Sequence, residues 1–237
     1  MIKNKQIEFN NAMQKYHSRP LYQQTNKMVS FLNIFLEIVL LFIFFTLSIS
    51  PIWLISIIFL AYFLADFING FVHLYMDNND SYTSFFGPFI ASFHLHHKTP
   101  VYKDKNLFLI YYDESGTKFW LVIYLFIVLL LFFLGVNEVI LALLILIGIL
   151  SSVAEVSHYL CHNSKSKFVY FLQSIGLLLS MKHHQKHHTQ DNVGYAFLNG
   201  MSDFIIDKIA DKFYGGYKEG LDKHYENYQG EDTSNRE

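Results

Sequence analysis

Four long apolar runs, separated by short polar segments, dominate the chain. They are Met28 to Ser48, Ile52 to Phe71, Phe119 to Leu134 and Val139 to Val156. A run of about 18 apolar residues can cross the hydrocarbon core of a bilayer as a helix. Pro51, which fits the first turn of a new helix, separates the first two runs, and residues 135–138 separate the last two. The pattern predicts an all-α integral membrane protein with four transmembrane helices in two hairpins.

Polar or only briefly apolar segments flank these runs. Residues 1–27 form a polar amino-terminal segment without the features of a signal peptide, and residues 28–216 form the predicted membrane domain. Residues 217–237 form a polar tail that we expect to be loosely ordered. The apolar stretch from Phe168 to Met181 is too short for an ordinary crossing, which favours an interfacial or re-entrant helix.

The distribution of charge predicts the orientation of the helices. All 18 Lys and Arg residues lie outside the two hairpin tips. The positive-inside rule therefore places both termini, the central segment and every histidine on the cytoplasmic side. The net charge is only −2, and no stretch combines dense basic residues with aromatic ones, so nucleic acid is not an expected partner. The single cysteine, Cys161, excludes an intramolecular disulfide and a CxxC pair.

Ten of the twelve histidines occur in four groups. The groups are His73; His94, His96 and His97; His158 and His162; and His183, His184, His187 and His188. Residues i and i+4 share a face of a helix, so His158 and His162 could bind one metal ion. In the last group, His183 with His187 and His184 with His188 form two such pairs on adjacent faces. One helix could therefore bind two metal ions.

The clustering predicts a histidine-rich site with two metal ions. A structural zinc needs four ligands and a catalytic zinc about three, fewer than the histidines present. Sites rich in imidazole and poor in carboxylate suit iron, copper or zinc. Asp66, seven residues before His73, is the candidate catalytic carboxylate; it would bind metal or orient His73, unless water alone satisfies it at the helix edge. For Glu37, inside the first run, we expect a structural role.

Four motifs that contain these residues resemble those of the lipid desaturase family. They are Ala-Asp-Phe-Ile-Asn-Gly-Phe-Val-His (Ala65 to His73), His-His-Lys-Thr-Pro (His96 to Pro100), His-Tyr-Leu-Cys-His-Asn-Ser-Lys-Ser-Lys (His158 to Lys167) and Lys-His-His-Gln-Lys-His-His (Lys182 to His188). The family includes plasmanylethanolamine desaturase and the plant plastid enzyme that puts a trans double bond into the palmitoyl chain of phosphatidylglycerol. The resemblance extends from about Ala65 to Asp207. Tyr102, Lys103 and Asp104 stand where ether-lipid members carry a His-Asp-Phe element.

The resemblance implies an oxygen-dependent enzyme with two iron ions (Fe2+/Fe3+) and O2 as co-substrate. It implies eight metal ligands: His73, His96, His97, His158, His162, His184, His187 and His188. His183 is a further ligand candidate, at a place where members vary, and His94 lies outside the family pattern. Because the chain has no GxGxxG, haem or iron–sulfur motif, the electrons must come from a separate donor. A cytochrome b5-like protein or a ferredoxin is the expected kind.

The expected reaction is desaturation of an acyl or alkyl chain of a membrane phospholipid. His73 and His158 follow the cytoplasmic ends of two predicted spans, which favours a double bond close to the headgroup. A membrane di-iron hydroxylase is the alternative among enzymes, since the same oxidant can return oxygen to carbon. A metal-transport or metal-sensing protein is another alternative, although transport favours polar ligands in mid-span. A purely structural protein leaves the clustering of histidines unexplained.

Overall fold

All regular structure is helical in the residues that the computed structural model describes, 2–98, 105–216, 221–225 and 227–229. The α-helices are α1 (Ile2–Ser18), α2 (Pro20–Thr46), α3 (Pro51–Asp77), α4 (Gly87–Lys98), α5 (Leu107–Ser115), α6 (Phe119–Phe133), α7 (Glu138–Asn163), α8 (Lys167–Ser174), α9 (Met181–Thr189) and α10 (Asp203–Phe213). A short 3-10 helix, Leu221–His224, follows α10. The prediction of an all-helical fold is confirmed for these ranges. Tyr102, Lys103 and Asp104 lie outside the described residues.

Three helices, α2, α3 and α7, are long and apolar enough to cross a membrane. They contain 27, 27 and 26 residues. Large apolar side chains cover their outer surface, and Phe42, Phe45 and Phe59 are 71%, 75% and 74% exposed. Helices with apolar side chains on their outer surface are suited to a surrounding of lipid. The fold thus fits a multi-pass membrane protein.

The predicted span from Phe119 to Leu134 corresponds to α6, which ends one residue earlier, but a helix that was not predicted, α5, precedes it at a bend. α6 has only 15 residues, and α5 precedes it at an angle of 88°, so the two helices form a broken span or a re-entrant loop. The Asn33 side chain of α2 stabilises the break, because its amide donates to the carbonyls of Ser115 (2.9 Å) and Lys118 (3.2 Å). The break also lies close to α2 at Gly116. A Cβ added at this glycine would be only 2.6 Å from the hydroxyl oxygen of Ser30 on α2.

The apolar stretch after α7 forms a shorter helix than the predicted segment Phe168 to Met181. α8 ends at Ser174, and Gly176, with a φ of +74°, turns the chain toward α9. This left-handed conformation suits glycine and commonly ends a helix. Phe168 and Phe171 on α8 are exposed, as expected for a helix at a membrane surface.

The amino-terminal helix and the described part of the tail pack against α4. The polar amino-terminal segment contains α1, and α2 begins at Pro20, earlier than the predicted Met28. Phe9 of α1 and Leu95 of α4 lie in one buried cluster. Tyr225, from the described part of the tail, joins the same cluster, so this residue packs against α1 and α4.

The bundle brings the carboxyl-terminal ends of α3 and α7 together. Ala65 of α3 and Ala154 of α7 lie in one buried cluster, and such small residues let membrane helices approach closely. α4 and α9 contact the same end, because their histidines adjoin those of the two long helices. The rings of His96 and His158 have centroids 4.7 Å apart, and those of His187 and His73 are 4.5 Å apart.

Candidate metal centre

Four helices contribute side chains to the centre. α3 supplies His73 and Asp77, α4 supplies His96 and His97, α7 supplies His158 and His162, and α9 supplies His184, His187 and His188. On α3 and α7 the two residues are four positions apart, so both side chains share a face. The two histidines of α4 are adjacent and therefore lie about 100° apart around the helix. α4 can thus present histidines in two directions.

Five histidines form the first group: His96, His158, His162, His184 and His188. One nitrogen of each lies within 4.8 Å of the corresponding atoms of the others. The Nε2 of His158 is 2.9 Å from that of His184 and 3.2 Å from that of His162. The Nε2 of His184 is 3.0 Å from that of His188. Three helices thus direct imidazole nitrogens at one small volume.

Three histidines and one carboxylate form the second group: His73, Asp77, His97 and His187. Asp77 is 2% exposed and lies among the three rings. Its Oδ1 is 3.2 Å from the Nε2 of His97. Its Oδ2 is 3.4 Å from the Nε2 atoms of both His73 and His187. The two groups are neighbours, since the ring centroids of His187 and His184 are 5.4 Å apart.

The spacing of these nitrogens suits coordination of a metal ion. When two nitrogens each lie about 2.0–2.1 Å from one metal ion, the distance between them depends on the N–metal–N angle. It is about 2.9–3.4 Å for angles between a right angle and the tetrahedral angle. The separations in the first group fall in this range, as does the 3.4 Å between the Nε2 atoms of His187 and His97. Burial and neighbouring imidazoles lower the pKa of His96 and His184 well below its usual value. A lowered pKa favours the neutral ring, which is the form that binds a metal.

Contacts behind the rings fix their orientation. The Nδ1 of His73 donates to the carbonyl of Tyr195 at 2.9 Å, and the Nδ1 of His187 donates to that of Val193 at 3.2 Å. With a proton on Nδ1, each ring presents the lone pair of Nε2 to the second group. In the first group, a carboxylate oxygen of Glu155 lies 4.0 Å from the Nδ1 of His158.

Two candidates from the sequence, Asp66 and His183, lie outside both groups. The oxygens of Asp66 accept hydrogen bonds from four backbone amides within residues 198–202 and from the Ser202 hydroxyl at 2.7 Å. The Nε2 of His183 is 2.6 Å from Asp203 Oδ2, and this hydrogen bond raises the pKa of His183. Both residues hold the segment between α9 and α10. The partner of the His73 Nδ1 is a main-chain carbonyl and not Asp66, contrary to expectation.

Sequence reasoning missed two carboxylates at the centre, Asp77 and Glu155. Asp77 follows His73 by four residues, and Glu155 precedes His158 by three, so helical spacing was the signal that could have found them. His94 lies outside both groups, in line with its absence from the family pattern. Its two nitrogens contact the Tyr82 hydroxyl and a main-chain carbonyl.

A cavity of about 620 Å³ adjoins both groups. His73 of the second group and His96 and His158 of the first contribute to its wall. Much of the wall is apolar or aromatic: Val72, Phe89, Phe93, Phe119, Trp120 and Phe197. Asn79 and Ser81, in the loop that follows α3, add polar groups at one part of the wall. The volume lies within the range of about 300–1,000 Å³ that is common for ligand sites.

Lys118 places a buried ammonium group in the wall of the cavity. It donates to Asn69 Oδ1 at 2.5 Å and to the carbonyl of Ser151, and it lies 3.1 Å from Glu155 Oε1. The three donors of the ammonium group can all be satisfied by these partners. Lys118 therefore ties the α5–α6 break to α3 and α7.

Comparison with known families agrees with this geometry. The lipid desaturase domain matches residues 62–215, which is more than half of the 237-residue chain. The matched segment contains all nine side chains of the two groups. Neither the curated proteins nor the solved structures provide a significant match. On the strength of the domain match, the chain belongs to the lipid desaturase family.

Proposed function

We propose that the protein is an oxygen-dependent lipid desaturase that introduces a double bond near the headgroup end of a phospholipid acyl or alkyl chain. In this proposal the two ligand groups hold two iron ions. A separate protein, cytochrome b5-like or a ferredoxin, supplies the electrons. The observation that carries the proposal is the largely apolar cavity whose wall includes ligands of both groups.

The wall of the cavity is suited to a lipid chain with its headgroup. The aromatic part can surround methylene groups, whereas Asn79, Ser81 and Ser84 can form hydrogen bonds to a headgroup or to glycerol. These polar residues follow directly after the end of α3. His73 lies four residues before that end, about 6 Å along the helix axis. This short distance supports desaturation near the headgroup.

Removal of two hydrogens from unactivated carbons needs a strong oxidant, which iron and O2 would supply and which side chains do not. The protein provides the ligands and an apolar surface for the reacting carbons. Phe197 forms part of that surface, because its ring centroid is 5.5 Å from those of both His73 and His158. It can hold a chain against both groups and exclude water from the space between them.

We also propose that the centre faces the cytoplasm and accepts electrons through α9. His184 and His187 are buried on one side of this helix, and Lys182 and Lys186 are exposed on the other. A donor bound to the outer side would be separated from the ligands by one helix, about 10 Å in diameter. Cysteine labelling at Gln185 and Lys98 should occur from the same side of the membrane. Labelling from opposite sides would refute the shared orientation.

Lipid analysis of cells with and without the gene tests the reaction. Desaturation predicts an O2-dependent product that has lost two hydrogens. His184→Ala, which removes a ligand of the first group, should abolish this product. His17→Ala, on α1 and outside both groups, is the matched active control. Iron-loaded protein that yields no unsaturated product in cells with the gene would refute the proposal.

The same measurement separates the alternatives. A product that has gained an oxygen atom would identify a hydroxylase. Metal transport is disfavoured by the positions of the ligands, which lie toward the ends of α3 and α7 or on the short helices α4 and α9. A transport path would require polar ligands in mid-span.

A further inference from the structure

The Tyr82 hydroxyl connects segments that are far apart in the sequence. It lies 2.7 Å from the Nδ1 of His94 on α4 and 3.2 Å from the Nδ1 of His224 in the carboxyl-terminal segment. The Nε2 of His94 is 2.8 Å from the carbonyl oxygen of Met76, in the last turn of α3. The side chains of Tyr82, His94 and His224 are all buried.

The carbonyl of Met76 sets the direction of these hydrogen bonds. A carbonyl can only accept, so the Nε2 of His94 carries a proton, and the Nδ1 of the neutral ring accepts from the Tyr82 hydroxyl. The tyrosine oxygen then accepts from the Nδ1 of His224. Each contact pairs one donor with one acceptor, so the replacement of one member removes a buried hydrogen bond between these segments.

Further contacts join the same segments. Lys98, at the end of α4, donates to the carbonyl oxygen of Tyr228 at 2.5 Å. The ring centroids of Tyr225 and Tyr228 lie 6.0 Å and 5.7 Å from that of Phe9 on α1. The described part of the carboxyl-terminal segment therefore contacts both α1 and α4.

α4 depends on such contacts because it is short. It has 12 residues, and an isolated helix of this length is only marginally stable in water. Its buried residues Ile90 and Leu95 pack in the cluster that contains Phe9 and Tyr225. Yet α4 supplies a ligand candidate to each of the two metal groups. The position of these ligands is therefore tied to the packing of the two chain termini.

We propose that α1 and the segments 221–225 and 227–229 form a clamp that positions α4 for metal binding, with Tyr82, His94 and His224 as its central contact. The clamp rests on the proposed function in so far as the two groups bind metal. It goes beyond that function because it gives positioning roles to Tyr82 and His224, which belong to neither group. Since α4 contributes to both groups, the clamp should act on both ions.

Hydrogen–deuterium exchange of the full-length, metal-free chain in detergent tests the clamp without any metal. Tyr82→Phe and His224→Ala should each raise exchange in residues 87–98 about five- to tenfold, as expected for a lost buried hydrogen bond. His224→Asn keeps an amide donor near the position of Nδ1 and should restore slow exchange. Gln14→Ala, at an exposed position of α1 that faces away from the buried cluster, is the control. Unchanged exchange in α4, or an equal rise in α9, would overturn the proposal.

Titration of the same variants with Co2+, followed by its visible absorption, tests the consequence for the metal groups. Tyr82→Phe and His224→Ala should weaken both sites by about 10- to 100-fold, the range for residues that orient ligands. His224→Asn and Gln14→Ala should bind as the unaltered chain does. Unchanged affinity in Tyr82→Phe and His224→Ala would overturn the clamp while the proposed function stands. An unaltered chain that binds no metal would overturn the proposed function and, with it, the role of the clamp.

Discussion

Replacement of Asp77 by Asn is expected to weaken the second metal group selectively. Asp77 is the one carboxylate among the nine candidate ligands, and its oxygens lie 3.2–3.4 Å from three Nε2 atoms. Asn has nearly the same volume, so the packing of α3 is kept while the negative charge is lost. The ligand candidates on α3 belong only to the second group, so the first group retains all five histidines.

The size of the effect follows from the number of ligands. A structural zinc site contributes about 10–16 kcal/mol, or about 2.5–4 kcal/mol for each of four ligands. The second group has four candidate ligands. Because about 1.4 kcal/mol corresponds to a factor of ten, the loss of one ligand should weaken binding by about 10²- to 10³-fold. The carbonyl oxygen of Asn can still act as a weak metal ligand, so we expect binding to weaken by nearer to about 10²-fold.

Metal analysis of the purified chain after loading with iron measures this effect. The unaltered protein should hold about two ions, as expected for a two-metal site. Asp77→Asn should hold about one ion and show no detectable desaturation, because the proposed reaction uses both ions. Asp211→Asn, which removes an exposed carboxylate from α10, is the control and should hold as many ions as the unaltered chain. Two tightly bound ions in Asp77→Asn, or the loss of both ions, would refute the assignment.

Four substitutions separate the ligands from the residues around them. His184→Ala should abolish turnover, whereas His183→Ala should lower it by about 10- to 100-fold; equal losses in a lipid turnover assay would contradict their different placement. Asp66→Asn should lower the free energy of unfolding by about 2–5 kcal/mol, because an amide cannot accept the five hydrogen bonds that the carboxylate receives. An unchanged thermal unfolding curve would contradict this. Ser92→Phe, which adds a ring to the cavity wall, should block turnover while bound iron stays constant; full activity would show that the substrate does not use this cavity.

Helical spacing accounts for what the sequence could reveal about the site. His158 and His162 lie in one group because residues four positions apart share a face wherever the helix is placed. The division of His96 and His97 between the two groups was not predictable in this way. It depends on how α4 lies against α3 and α7, and this packing involves contacts with both termini.

The position of Asp66 shows a limit of the same reasoning. Asp66 precedes His73 by seven residues, so the two share a face of α3 but are about 10 Å apart along its axis. At that distance Asp66 binds the loop 198–202 and not the metal groups. Asp77 is only one turn from His73 and joins the second group. A search limited to one helical turn would have selected Asp77.

The break between α5 and α6 depends on contacts that the apolar pattern does not contain. Lys118, at the break, is charged and yet buried, and its partners Asn69 and Glu155 lie on α3 and α7. Asn33 on α2 satisfies main-chain carbonyls at the same place. Because all these partners come from other helices, the local sequence did not indicate the bend that precedes the predicted span from Phe119 to Leu134.

The arrangement of ligands on each helix determines how the two ions should respond to a perturbation. α3 and α7 place residues four positions apart and each serve one group, whereas α4 and α9 carry adjacent histidines that serve both. Adjacent residues lie about 100° apart around a helix, so a helix that lies between two sites can supply one histidine to each from adjacent positions. Displacement of α4 should therefore weaken both ions together, whereas Asp77→Asn should weaken one. If Tyr82→Phe weakened a single ion, α4 would be acting through only one of its histidines, and the clamp would not hold the helix as a unit.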